Sequence, residues 1–258
     1  MARMIWRVAP WMSVLAVVVA WQVLAASGAV TPFMLPGPGV VAERIWTDLA
    51  SGELAQNLSR TLYRALSGFA IAAAAGIGLG VLIARSRAAR WLFDPLISVG
   101  FPMPKIAFLP IITLWLGFYD VAKISMIVFD SIFPVVTATV AGAIGVEREL
   151  LWSARSVGAS ERETLREVVL PAALPEILTG LQVALPIALI VCIVTEMKMG
   201  GIGLGGAMIT ASRFADSPGV FAGIVEIAIA GYVLVKLMAL ARRRLLVWHR
   251  EALAPTTV

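Results

Sequence analysis

Residues 65–84 read ALSGFAIAAAAGIGLGVLIA, twenty positions without a charge, closed by Arg64 on one side and Arg85 on the other. The hydrocarbon core of a bilayer, about 30 Å thick, is crossed by about 20 apolar residues in a helix, so this stretch reads as one membrane span. Working outward, five more candidates follow at 8–26, 95–119, 124–146, 177–195 and 217–241. Segment 124–146 carries only Asp130, 177–195 is uncharged but holds Pro186, and 217–241 contains Glu226 and Lys236. Segment 95–119 is interrupted by Pro102, Pro104, Lys105 and Pro110. The expected fold is therefore all-α and polytopic, about six transmembrane helices in a single domain over residues 1–258. The first segment also has the form of a secretory signal, with Arg3 and Arg7 ahead of an apolar run ending in Ala25-Ala26-Ser27. Because the later spans already commit the chain to the membrane, it reads as a retained anchor.

Composition agrees. Of 258 residues, 60% are hydrophobic and 14% charged, against about 25% charged in a typical soluble domain. A net charge of +5 could serve a nucleic-acid partner only through a contiguous basic face, and here the basic residues punctuate apolar runs, so no nucleic acid is expected. The single cysteine, Cys192, excludes an internal disulfide and a Cys-based metal cluster, and the single histidine, His249 beside Arg250, disfavours zinc sites and Ser/His/Asp chemistry. With six spans both termini share a side. Most Lys and Arg outside the spans fall on that side, in 85–94, 147–176 and the termini, which the positive-inside rule makes cytoplasmic. Segments 27–64, 120–123 and 196–216 then lie outside.

The longest cytoplasmic loop, 147–176, interleaves acids and bases along two short amphipathic stretches. Leu150, Leu151, Ala154 and Val157 recur at helical spacing. Gly158 fits a helix stop, and Ser160 followed by Glu163 is a capping box that starts a second helix, expected to run to Leu170 and end at Pro171. Two readings fit this pattern: an element that plugs into a partner's groove, or an interfacial loop held in water by its charges.

A resemblance separates them. Trp152-Ser153-Ala154, Gly158 and Val168-Val169-Leu170-Pro171 resemble the cytoplasmic signature of the permease subunits of ATP-binding-cassette importers. That signature is EAA, three residues, Gly, nine residues, Ile, any residue, Leu-Pro, and every spacing is kept. Trp152 and Ser153 stand in place of its Glu and first Ala, and Val168 in place of its Ile. Leu35-Pro36-Gly37-Pro38, Ser59-Arg60-Thr61-Leu62-Tyr63-Arg64, Phe101-Pro102-Met103-Pro104-Lys105, Leu114-Trp115-Leu116-Gly117, Thr195-Glu196-Met197 and Gly201-Ile202-Gly203-Leu204-Gly205 look like the nitrate/sulfonate/taurine-type branch of that family.

The resemblance implies a type I importer permease core of the bacterial inner membrane. It implies a second permease copy, a periplasmic or lipid-anchored solute-binding protein, and a cytoplasmic ATPase dimer that binds the ATP, with no cofactor in this chain. Coupling to the ATPase would run through Ala154, Val157, Gly158, Ala159, Ser160, Glu163, Leu165, Leu170 and Pro171. The implied solute is a sulfonate, nitrate, taurine or a pyrimidine precursor.

Charges in or near spans are costly and mark a solute path or a partner within the bundle. Lys105, Asp130 and Glu196 are the candidates for pathway or gate. For Asp130 both readings stand, a polar lining or a hydrogen-bonding partner between helices, while Lys236 can snorkel to the surface. Gly201, Gly203 and Gly206 satisfy GxGxxG but follow a membrane helix instead of a strand, so they read as a close-packed outer loop. Gly76 and Gly80 form a GxxxG packing motif. No GxxxxGK[ST] sequence is present, so the chain is expected to have no ATPase site and no catalytic residue. The alternatives are an ion-coupled secondary transporter with discontinuous helices and an intramembrane hydrolase pairing Asp130 with Glu226.

Overall fold

The computed structural model describes residues 2–248, with side chains from Met12 onward; His249 and Arg250 lie outside the described residues. Among these, every regular element is helical. Helix α1 is Ala2–Ala26 and α2 is Pro38–Ser51, which starts with a proline and ends at Gly52 in the left-handed conformation (φ 83°). Helix α3, Glu53–Arg85, contains the uncharged stretch. Ser86 accepts from the N–H of Ala89 at 3.2 Å and so caps α4, Arg87–Gly100.

The third expected span is a bent pair. After α4 the chain passes Pro102 and Pro104, takes a 3-10 turn over Lys105–Phe108 and continues as α5, Leu109–Leu116, at 94° to α4. The two prolines cannot donate to a helix ladder and their rings collide with the preceding turn, which is why the break falls there. Pro110 does not break the chain, because it sits in the first turn of α5, where a missing N–H costs nothing.

Helix α6 is Asp120–Ile144, α7 Arg148–Ser156 and α8 Glu161–Glu163. A π-helical turn over Thr164–Val169 leads straight into α9, Leu170–Met199; α10 is Leu204–Arg213 and α11 Ser217–Leu245. The expected stop at Pro171 is thus corrected: Glu161–Met199 is one continuous helical segment of 39 residues. The π turn explains it. Leu170 donates to the carbonyl of Leu165, five residues back, and the widened turn moves the preceding carbonyls away from the proline ring.

Among the described residues, four helical segments have the length and hydropathy to cross a bilayer: Glu53–Arg85, Asp120–Ile144, Glu161–Met199 and Ser217–Leu245. The bent pair would make a fifth, and the described apolar part of the first helix, Met12–Ala26, is shorter than a span. Among the described residues the count is therefore four to five by length, and the first of the six expected spans is described only in part.

Contacts divide the chain into two units. The first comprises Met1–Arg60 and Glu196–Ile229, the second Thr61–Thr195 and Ala230–Val258. In the first, Trp21 Nε1 donates to Pro36 O at 3.0 Å and its ring lies 5.9 Å from that of Phe221, tying the α1–α2 connection to α11.

The second unit is organised around α6. A Cβ on Gly68, Gly76 or Gly80 of α3 would lie 2.5, 2.8 or 2.6 Å from the side chains of Ile127, Val135 and Thr139. These glycines repeat at eight and four residues, hence on one face. From the other side, a Cβ on Gly180 of α9 would meet the Pro134 carbonyl at 2.8 Å. Lipid tails are as apolar as leucine, so spans associate by such close approach; the GxxxG at Gly76 and Gly80 serves packing, as expected from the sequence.

Candidate functional site

The loop 147–176 keeps the predicted helix–glycine–helix form. Helix α7 ends where the N–H of Gly158 donates to Arg155 O at 3.0 Å and that of Ala159 to Ala154 O at 3.1 Å. Gly158 itself is left-handed, φ 84°. The capping box is complete: Glu163 N–H donates to Ser160 Oγ at 3.3 Å and Ser160 N–H to Glu163 Oε2 at 2.7 Å. Hydrogen bonding to its carboxylate by the Ser160 side chain and by the Ser160 backbone N–H holds the Glu163 carboxyl below its ordinary pKa.

Part of the apolar surface of this loop is uncovered, while Leu151 is half-buried. Val157 is 82% and Trp152 61% exposed, and Leu150 is exposed as well. Gly158, Ser160, Glu163 and Pro171 are exposed, while Ala154, Ala159, Leu165 and Leu170 are half-buried. Thr164 and Val169 anchor the π turn in the protein. The loop thus presents valine and tryptophan at a rigid, capped turn, with its inner residues seated on the chain.

Ion pairs join segments that the topology places on one side. Arg64 Nη2 meets Asp120 Oδ1 at 2.7 Å, both assigned outside. Arg44 meets Asp48 at 2.9 Å and Asp216 at 2.5 Å, again both outside. Arg85 pairs with Glu161, both assigned inside. Arg44 and Asp48 are an i,i+4 pair on one helix, but nothing local in the sequence identifies the other partners, which lie up to 172 residues apart.

Of the predicted pathway residues, the structure brings two together. Lys105 Nζ lies 3.1 Å from Asp130 Oδ1, donates to Phe101 O at 2.9 Å and stands 4.6 Å from the Phe133 ring centroid. The lysine side chain is 7% exposed and the aspartate 23%. Asp130 therefore has a partner within the bundle, and that partner fixes the 3-10 turn at the bend onto α6.

Glu196 does not join them. It is wholly buried near the end of α9, where Oε2 accepts from Gly205 N–H at 3.1 Å, and Asn57 Oδ1 accepts from Gly203 N–H at 2.9 Å. The Glu196 carboxylate accepts from the glycine loop, in which Gly200, Gly201 and Gly203 all have positive φ and a Cβ on Gly206 would collide with the Gly201 carbonyl. The loop is close-packed, as the sequence indicated, and has no strand before it. Beside it in the first unit is a cavity of about 430 Å³ lined in part by Arg44, Asp48, Asn57, Asp216 and Glu226. Glu226 Oε1 is buried without a hydrogen-bond partner. Lys236 Nζ lies 5.3 Å from the Tyr232 ring centroid, so its charge is met on its own helix. Cys192 is buried and its thiol donates to Thr61 O at 3.6 Å.

Apolar helices packed through glycine, a bent helix pair pinned by the Lys105–Asp130 ion pair and an exposed helix–glycine–helix turn are the features of a multi-pass membrane protein. The chain belongs to the binding-protein-dependent transport system inner membrane component family, whose model matches residues 76–247. It is 34% identical over 237 residues, 92% of this chain and 86% of the relative, to the protein named SsuC, for aliphatic sulfonates transport, of Bacillus subtilis (strain 168). It is 32% identical to the taurine transport system permease protein TauC of Escherichia coli (strain K12), covering 90% of this chain and 86% of that one. Its fold is similar to a chain in the crystal structure of an amino acid ABC transporter, with TM-score 0.59 and 20% identity over 78% of this chain and 97% of the other. The protein is an ABC importer permease subunit of the inner membrane, and the secondary-transporter and hydrolase alternatives are set aside.

Proposed function

We propose that two copies of this chain enclose a solute path, and that each passes the motion of a cytoplasmic ATPase dimer to it through residues 147–171. A periplasmic or lipid-anchored binding protein delivers the solute to segments 27–64 and 196–216, and both termini are cytoplasmic. The ATPase binds the ATP; this chain is a single transmembrane domain with no catalytic residue and no cofactor. The solute is a small anion or zwitterion of the sulfonate, taurine or nitrate kind, or a pyrimidine precursor, and the names of the two relatives favour a sulfonate. Lys105 and Asp130 hold the bend of the third span beside the path.

The observation that carries this reading is the loop itself. A large apolar pair at a capped, positive-φ turn is an anchor of the kind that dominates interfaces, where aromatic and aliphatic side chains enter pockets on the partner. The ion pairs within each expected side support the topology. Val157→Asp would place a charge at that anchor without touching the chain's own core. The expected outcome is a membrane-inserted, folded subunit whose affinity for its ATPase falls by about tenfold or more, seen as ATPase lost on co-purification. Undiminished recovery of the ATPase with Val157→Asp would rule the loop out as the docking element.

A further inference from the structure

Glu161 stands between two arginines from different helices. Its Oε2 pairs with Nη2 of Arg85, the residue that closes the second span at the end of α3. Its Oε1 lies 3.4 Å from Nη2 of Arg155, in the last turn of α7. Arg85 Nη1 also donates to the backbone carbonyl of Glu161 at 3.4 Å. One carboxylate at the first position of the second coupling helix thus joins three helix ends: the span, the helix before Gly158 and the helix after it.

Exposed pairs of this kind add little to stability, because water screens them and long side chains must be ordered to form them. What this one fixes is position. Between Arg155 and Glu161 the chain turns at Gly158, a residue with open space around it, and the bonds that close the turn and cap the next helix stay within the loop. The Arg85 contact is lateral, from the loop to a different span, and α3 is the helix whose glycines seat on α6. Displacement of the loop is therefore delivered to α3 as well as along α9, into which the loop continues directly.

We infer that Glu161 is a positioning residue that latches the coupling loop to the second span through Arg85, so that ATPase movement reaches the α3–α6 pair. This rests on the reading of 147–171 as the ATPase-docking element. Its test is the intact complex isolated from membranes with its own ATPase and binding protein, carrying Glu161→Arg, Arg85→Glu, both together, or Glu161→Gln. ATP hydrolysis is measured with and without the binding protein, and ATPase subunit retention is scored separately. Each reversal is expected to keep the ATPase bound but reduce the stimulation by the binding protein about fivefold, with the double reversal restoring most of it and Glu161→Gln intermediate. Full stimulation in the single variants overturns the latch. So does loss of the ATPase subunit with Glu161→Arg that the double variant does not restore, since Glu161 would then be a docking contact. Wild-type chain that brings no ATPase with it would instead overturn the docking reading beneath, a result distinct from either.

Discussion

Replacing Gly158 by proline is expected to abolish solute-coupled ATP hydrolysis while leaving the spans inserted. Gly158 sits at φ 84° and its N–H donates to Arg155 O at 3.0 Å. Proline is locked near −65° and has no N–H, so the turn cannot form and α7 loses its C-terminal closure, a change of about 3 kcal/mol or more. Alanine separates conformation from contact. A Cβ here meets nothing within 4 Å, so Gly158→Ala carries only the left-handed backbone penalty of about 1–2 kcal/mol and should retain much of the coupling. The check is ATP hydrolysis stimulated by the binding protein, with membrane insertion measured beside it. Wild-type coupling in Gly158→Pro would remove the loop from the mechanism.

The second large effect is expected at the bend. Asp130→Leu leaves Lys105 without its carboxylate in an apolar setting, and Lys105→Leu leaves Asp130 without its ammonium. Breaking such a pair from one side costs about 3–5 kcal/mol when buried, and insertion scales give about 2.5–3.5 kcal/mol for an uncompensated charge in a span. The partial exposure of Asp130 and the Phe101 carbonyl and Phe133 ring around Lys105 place each single variant near the lower end, about 3 kcal/mol. The double variant Lys105→Leu/Asp130→Leu removes both charges and should recover most of the folded yield, because apolar replacement of a buried pair is often neutral. Denaturant titration of the purified subunit checks this. Additive losses in the double variant would show that the two residues act separately.

Local features were legible in the sequence because each needs only neighbours in the chain. The uncharged run of α3, the GxxxG at Gly76 and Gly80, the stop at Gly158 and the Ser160–Glu163 capping box all appear where their residues predict. The break of the third span was readable from Pro102 and Pro104, though its 94° angle was not. Pro171 misled because a helix-breaking residue was read without the turn before it, and a π turn is set by how Thr164 and Val169 are buried, a tertiary matter. Asp130 could be singled out as costly, but its partner comes from the irregular segment at the bend, whose register no periodicity reveals. Glu196 carried the same kind of signal, and in the fold its carboxylate accepts from the backbone of a glycine loop. A lone charge in a membrane sequence therefore marks an obligation to be met, and only the fold shows whether solute, side chain or backbone meets it.

The central claim is that this subunit works only with an ATPase held on its cytoplasmic loop. The most direct test is to isolate the chain from its native membranes in a mild detergent that preserves a related importer complex, then identify its companions and measure ATP hydrolysis. The account predicts a stoichiometric ATPase subunit and hydrolysis that rises with the binding protein. A single-component preparation without ATPase activity would contradict it.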